Sequence, residues 1–278
     1  MRRLVAVLCC AGVLALGLAG CDPPPVRLIG AGDIASCALT ADSRTADVID
    51  GLQGTVVTLG DNAYQAGTAG EFAYCYRPTW GRHDGRVRPA PGNHDYATPG
   101  AAGYFGYFGD RAGPPGAGYY FFDIGSWRVF SLNSEVNVVA AAAFVRANAG
   151  GKRCIAAYWH RPLVSSGLHG DNPSVLPLWQ AVYDVGGDLV LNGHDHGYER
   201  FAELGRDGAP SPGGMRELVV GTGGASPYGF GTVRPGSQVR RSGTYGVVAV
   251  DLGDDGYTWK FHPVSGQTFT DGGSGSCS

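Results

Sequence analysis

Five short segments of this chain carry side chains that bind metal ions. They are Gly32-Asp33, Gly60-Asp61-Asn62-Ala63-Tyr64, Gly92-Asn93-His94-Asp95, Tyr158-Trp159-His160 and Gly193-His194-Asp195-His196. Asp, Asn, His and Tyr are hard or borderline donors that suit divalent and trivalent first-row cations. A single Gly-Asp after a strand is ordinarily a turn, and a single His at a strand end is ordinarily a hydrogen-bonded side chain. Their recurrence argues otherwise, because four of the chain's seven histidines fall in these segments. His194 and His196 are two residues apart, so on a loop they can diverge toward two different ions. Two ions about 4 Å apart need a bridging carboxylate, and Asp61 is the candidate. Nucleophilic catalysis has no comparable support, since there is no Gly-x-Ser-x-Gly elbow and no cysteine to spare.

The segments share one position: each lies just past the carboxyl end of an expected strand, where ligands gather in α/β sheets. Val26–Gly30 leads to Asp33, Thr55–Leu59 to Asp61, Val87–Ala90 to Asn93, Ile155–Trp159 to His160, and Leu189–Leu191 to His194. Helices are expected over Ala41–Leu52, with Thr40 or Asp42 near its cap, over the Ala-rich Val138–Ala149, and over Ser174–Val185, capped by Ser174. Tyr119–Ile124 and Trp127–Leu132, joined by Gly125-Ser126, read as a hairpin. After His194 the chain turns mostly to strands: Arg216–Val220, Tyr245–Leu252 and Tyr257–Phe261.

This set, in this order, resembles the calcineurin-like metallophosphoesterases, and more closely the purple acid phosphatases. The resemblance spans nearly all of residues 28–277, with the fine match in the five motifs. Ala35 stands where the superfamily usually has a ligating His, and Tyr64 supplies the Gly-Asp-x-x-Tyr of the purple acid phosphatases. Gly197-Tyr198-Glu199-Arg200 and a His nine residues beyond His160, here His169, are further similarities. The resemblance implies a four-layer α/β/β/α sandwich of two mixed sheets. The early βα alternation is expected to form one half and the late strand-rich stretch the other.

The resemblance also implies two metal positions. Asp33, Asp61, Tyr64 and His196 would hold the first, and Asp61, Asn93, His160 and His194 the second. A phenolate and two carboxylates favour Fe3+ at the first, while the nearly neutral second suits Zn2+, Mn2+ or Fe2+. His94 and His169 would face the leaving group without ligating. A hydroxide on or between the ions would attack phosphorus in line, and His94, paired with Asp95 or another carboxylate, would act as general acid. The leading activity is hydrolysis of phosphate monoesters, with a small phosphate ester as substrate. A phosphodiesterase or nucleotidase on the same site is the nearest alternative. Iron redox chemistry and a non-catalytic surface binding protein are the others.

Several residues are left open at this stage. Arg161 either reaches phosphate or has a packing or surface salt-bridge role. Gly221-Thr222-Gly223-Gly224 either lends N–H groups to an anion or is a plain turn. Tyr104, Phe105, Tyr107 and Phe108 either rim a pocket or pack in the core. Asp195 is expected to point away from the metals, and His83 and His262 to be structural.

The N-terminus reads as a targeting segment. Arg2 and Arg3 precede the apolar run Leu4–Leu18, which is too short and wrongly flanked for a transmembrane helix. It ends in Leu18-Ala19-Gly20-Cys21, which resembles the lipobox of bacterial lipoproteins, with Cys21 acylated. The expected organisation is a signal peptide over 1–20, the anchor and Pro-rich spacer over 21–25, and a catalytic domain over 26–278. The protein would then sit outside the cytoplasm, lipid-anchored to the cell membrane. Loss of residues 1–20 moves the net charge from −3 to −5. With no Lys/Arg run, nucleic-acid binding by a basic patch has no support. Oligomeric state is not legible.

Cys9 and Cys10 leave with the signal, so Cys37, Cys75, Cys154 and Cys277 remain. An even count in an exported chain argues for two disulfides, and no CxxC offers a thiolate zinc site. Cys37 and Cys75 both follow metal-side strand ends. Cys154 opens the strand that ends at His160 and so lies roughly 20 Å below that face, at about 3.3 Å per residue. The expected pairs are Cys37–Cys75 and Cys154–Cys277.

Overall fold

The computed structural model describes residues 26–277, so the expected signal segment, Cys21 and the expected spacer lie outside the described residues. In chain order the strands are β1 Arg27–Ala31, β2 Ala35–Ser36, β3 Thr55–Leu59, β4 Ala63–Tyr64, β5 Val87–Ala90, β6 Tyr120–Ile124, β7 Trp127–Ser131, β8 Cys154–Tyr158, β9 Leu189–Asn192, β10 Tyr198–Leu204, β11 Met215–Val220, β12 Ser237–Arg241, β13 Gly246–Leu252, β14 Gly256–Pro263 and β15 Gly272–Ser276. The first sheet runs β15-β14-β13-β1-β3-β5 and the second β12-β10-β11-β9-β8-β7-β6, while β2 and β4 form a small pair beside them. In the first sheet β1, β3 and β5 are parallel. In the second, β7, β8, β9 and β11 are parallel.

Residue alternation shows how the sheets stack. In the second sheet Trp127, Val129, Ala156, Tyr158, Leu191 and Leu218 join a core cluster shared with Leu28, Val57 and Val248 of the first. Their neighbours Phe130, Ile155, Ala157, Val190 and Val219 join another cluster, together with Val145, Leu178, Trp179 and Val182. Successive strand residues point to opposite faces, so the first cluster lies between the sheets. The second lies outside, beneath the helices Val138–Asn148 and Leu176–Asp184. The helix Ala41–Asp50 buries Thr45, Ala46 and Ile49 and covers the other side of the first sheet. The layers are therefore helix, sheet, sheet, helix.

Two expectations change, and the tail adds a strand. The two halves of the chain do not form the two halves of the sandwich, because β13, β14 and β15 return to extend the first sheet beside β1. Ser174 does not cap its helix: it sits inside a 3₁₀ turn, Pro173–Val175, and Val175 holds the cap position. The Gly/Ser tail is a paired strand, with Trp259 opposite Gly273 and Tyr257 opposite Gly275. A Cβ on Gly273 would stand 2.6 Å from the Trp259 ring, and one on Gly275 would stand 2.5 Å from the Tyr257 ring. Glycine is required there because the neighbouring aromatic rings lie over the strand.

Disulfides join Cys37 to Cys75 and Cys154 to Cys277, with Cα atoms 5.1 and 5.3 Å apart. The second brings Asp188 beside two sulfurs, but oxidised sulfurs offer no thiolate to a metal. Among the described residues no helix is long and apolar enough to cross a membrane. Tyr104 and Phe108 are buried in the aromatic core with Phe72 and Tyr76, which settles them as packing residues.

Candidate metal centre

The carboxyl ends of parallel strands from both sheets open onto one place. From the first sheet β1 delivers Asp33, β3 delivers Asp61, and β5 delivers Asn93 and His94, while the short strand β4 carries Tyr64. From the second, β8 delivers His160, and β9 delivers His194 and His196. The turns there are tight. Asp33, Asp61 and His194 all have positive φ, at 61°, 50° and 74°. Such backbone is costly for residues other than glycine and gathers at functional sites. Gly60 is also at positive φ, and a Cβ on it would stand 2.6 Å from the His160 ring. A Cβ on Gly92 would collide with Asp61 Oδ1. These glycines let the two sheets' loops touch.

The donor atoms fall into two groups. Tyr64 Oη lies 2.9 Å from Asp33 Oδ1, 3.0 Å from Asp61 Oδ2 and 3.2 Å from His196 Nε2. His196 Nε2 lies 3.3 Å from Asp33 Oδ1. In the second group His160 Nε2 lies 3.3 Å from Asp61 Oδ2, 3.1 Å from Asn93 Oδ1 and 3.2 Å from His194 Nδ1. A single oxygen, Asp61 Oδ2, belongs to both. Ligands about 2.1 Å from a common ion and at right angles stand about 3 Å apart, so the spacing within each group fits a coordination shell. Asp33, Asp61 and His160 also meet as a buried cluster able to hold an ion.

The outer contacts orient these donors. His160 Nδ1 donates to Leu59 O at 2.9 Å and His196 Nδ1 donates to Ser226 O at 2.8 Å, which turns each Nε2 inward. The spare carboxylate oxygens accept backbone N–H groups: Asp61 Oδ1 from His94 and Asp33 Oδ2 from His194, both at 2.8 Å. Asp33 and Asp61 are buried, and buried carboxylates need positive partners. Burial alone would raise the Asp61 carboxyl, but His160 and His94 hold it below the usual carboxylate range. Burial works against a charged His160, yet Asp61 overcomes it and pushes that imidazole up to about 10. Burial, with Asp33 and Asp61, pushes the Tyr64 hydroxyl well above its ordinary value. Without a cation the phenol therefore keeps its proton, and a phenolate requires added positive charge.

The candidate acids stand outside both groups. The His94 ring is tilted against Tyr64, with centroids 4.4 Å apart. His94 Nδ1 donates to Gln65 O at 2.6 Å, and Nε2 faces Asp61 Oδ2 at 4.0 Å. The expected pairing with Asp95 does not occur. Asp95 is buried and accepts instead from Gly92 N and from the Asn62 side chain, both at 2.9 Å. His169 is exposed and stacks on His194, with centroids 4.2 Å apart. Asp195 points away from the donors as expected, and accepts from Ser165 Oγ and His169 N. The glycine turn 221–224 is structural, since Gly221 N and Gly223 N are used on Gly197 O and Gly32 O. His83 is buried against Ala46 O.

Two residues at the site escaped the sequence reading. Tyr228 stacks on His196 at 4.7 Å and donates to His194 O at 2.9 Å. Glu135 holds Arg161 beside His194. Both arrive on loops with no distinguishing pattern, and no local signal marks either.

The family profile of the calcineurin-like phosphoesterases matches residues 32–198, more than half of the chain, which therefore belongs to that family. No curated protein matches it in sequence. The fold is similar to that of GAP50, the anchor in the inner membrane complex of Plasmodium, at 16% identity and TM-score 0.70, covering 90% of this chain and 88% of that one. It is similar to purple acid phosphatase PPD1 from yellow lupin seeds, at 18% identity and TM-score 0.66, covering 89% of this chain and 53% of that one. It is also similar to PhoD, at 11% identity and TM-score 0.58, covering 92% and 69%. The protein is thus a phosphoesterase of a family that binds dinuclear metal centres.

Proposed function

We propose that this protein hydrolyses phosphate monoesters at a two-metal centre. The observation that carries the reading is the pair of donor groups sharing Asp61 Oδ2. Asp33, Asp61, Tyr64 and His196 would hold one cation, and Asp61, Asn93, His160 and His194 the other. The chemistry supplied by bound cations is polarisation of the phosphoryl group and activation of water. Asp61 sets the spacing between the two positions. Leu59 O and Ser226 O keep the imidazoles of His160 and His196 in the tautomer that ligates. The bond from phosphorus to the ester oxygen breaks as a bond to water oxygen forms, and His94 Nε2 gives the leaving alkoxide its proton. A panel of phosphomonoesters, phosphodiesters and nucleotides, run on protein of measured metal content, tests this. A strong preference for diesters would move the assignment to the alternative activity.

The first position carries a phenol and two carboxylates, which favours Fe3+ there, with Zn2+, Mn2+ or Fe2+ at the second. Tyr64→Phe is expected to abolish the visible phenolate-to-iron absorption while sparing part of the hydrolysis. A colourless wild type holding only zinc would refute the iron assignment.

Leu18-Ala19-Gly20-Cys21 and the Asp22–Pro25 spacer support a lipid anchor on the extracytoplasmic face of the membrane. At roughly 3 Å per residue the domain would stand about 12 Å from Cys21, which favours small diffusible esters. Cys21→Ala is expected to shift the protein from the membrane pellet to the soluble fraction. Retention in the pellet after signal cleavage would remove the anchor from the proposal.

A further inference from the structure

Arg161 follows the candidate ligand His160 and is not among the donors. Its backbone N donates to Ser134 Oγ at 3.1 Å, and Ser134 Oγ donates to Glu135 Oε1 at 2.8 Å. Arg161 Nε bonds both Glu135 oxygens, at 3.1 and 2.9 Å. The Glu135 side chain is only 7% exposed and that of Arg161 is 26% exposed. The guanidinium is therefore held at Nε while the side chain still meets solvent.

Nη1 sits 3.2 Å from His194 Nε2, and on the other side of that ring Nδ1 sits 3.2 Å from His160 Nε2. A neutral imidazole has one lone pair and one N–H. Arg161 Nη1 can only donate, so this contact needs a lone pair at His194 Nε2. With His194 held to a cation through Nδ1, Nε2 would carry the ring proton instead. Two donors would then face each other, and Nη1 would give up the contact. Glu135 keeps hold of Nε throughout. Among the described residues Nη2 has no hydrogen-bond partner, so two of the three guanidinium nitrogens become available together.

We propose that Arg161, pivoting on Glu135, binds the phosphoryl oxygens of the substrate beside the second donor group. A guanidinium suits this role because its planar fork matches two phosphate oxygens at once. The residue comes from the segment His160-Arg161-Pro162 and its partner Glu135 from a separate loop.

The proposal rests on the phosphoesterase reading, and its test is built to separate the two. Inorganic phosphate is titrated calorimetrically into metal-loaded wild type, Arg161→Met and Arg161→Lys, with metal content and melting temperature measured on each. Met keeps the apolar stem and loses every N–H. Arg161→Met is expected to retain two metals, to melt lower because the buried Glu135 loses its cation, and to bind phosphate about 10- to 100-fold more weakly. Arg161→Lys is expected to recover only part of the loss, since a point charge lacks the fork. Wild-type phosphate affinity in Arg161→Met would overturn the proposal, and so would loss of a metal, which would make Arg161 a support for His194 instead. A wild type that binds phosphate and turns over no ester would sink the hydrolase reading while leaving the clamp standing.

Discussion

Asp61→Ala is expected to lose both metals in one step and to bring hydrolysis down to background. Oδ2 lies 3.0 Å from Tyr64 Oη and 3.3 Å from His160 Nε2, the central donors of the two groups. Without Asp61 the remaining donors of the second group are one amide and two imidazoles. The loss of activity should exceed about 10⁴-fold, because charge neutralisation and water activation go together. Alanine also removes something unrelated to metals. Asp61 has φ of 50°, a conformation that Asp and Asn tolerate better than Ala. Asp61→Asn is therefore the cleaner variant: it keeps the backbone preference and the approximate shape and removes only the charge. Elemental analysis after metal loading, with a thermal melt, separates the effects. Both variants should be metal-free, and only Asp61→Ala should melt measurably lower. Retention of one full equivalent of metal in either would show that the two groups do not share this oxygen.

What the sequence showed clearly was the strand-end pattern. Asp33, Asp61, Tyr64, Asn93, His160, His194 and His196 each sit a few residues past a short apolar strand. A period of two followed by glycine and a polar residue is a local signal, readable without the fold. Arg161 was visible but its partner was not: Glu135 is 26 residues away on a loop whose composition says nothing. Tyr228 likewise reaches the site through a Pro-Tyr-Gly turn that looks like any other. The tail strand is illegible for a different reason. Gly272–Ser276 has the composition of a linker, and it becomes a strand only because Trp259 and Tyr257 need a side-chain-free neighbour. The stretch between Tyr64 and Val87 is built from short 3₁₀ and π turns with no sustained period, so periodicity had nothing to detect. The return of β13 to pair with β1 is a long-range choice that no local pattern encodes.

His94→Ala is expected to keep both metals and to slow hydrolysis by roughly 10²–10⁴-fold, the usual worth of a positioned general acid. The structure separates it from the other candidate, His169. The His94 ring is held on two sides, by the bond from Nδ1 to Gln65 O and by contact with Tyr64. With Nδ1 committed to a carbonyl, Nε2 is the nitrogen left to face the cleft. His169 has a stacking contact with His194 and an edge contact with Tyr228. Among the described residues no hydrogen bond to its ring directs either nitrogen. Its removal should cost less than about 10-fold, since an unfixed group gives up most of the advantage of orientation. Metal retention in His94→Ala follows from the geometry, because the contact that orients Asp61 is the His94 backbone N–H, which alanine keeps. The decisive comparison is across leaving groups. The penalty should be near its maximum for an alkyl phosphate, whose alkoxide needs a proton as the bond breaks. It should shrink for nitrophenyl phosphate, whose phenolate departs without one. An equal penalty for both esters, or a larger loss from His169→Ala than from His94→Ala, would transfer the acid role away from His94.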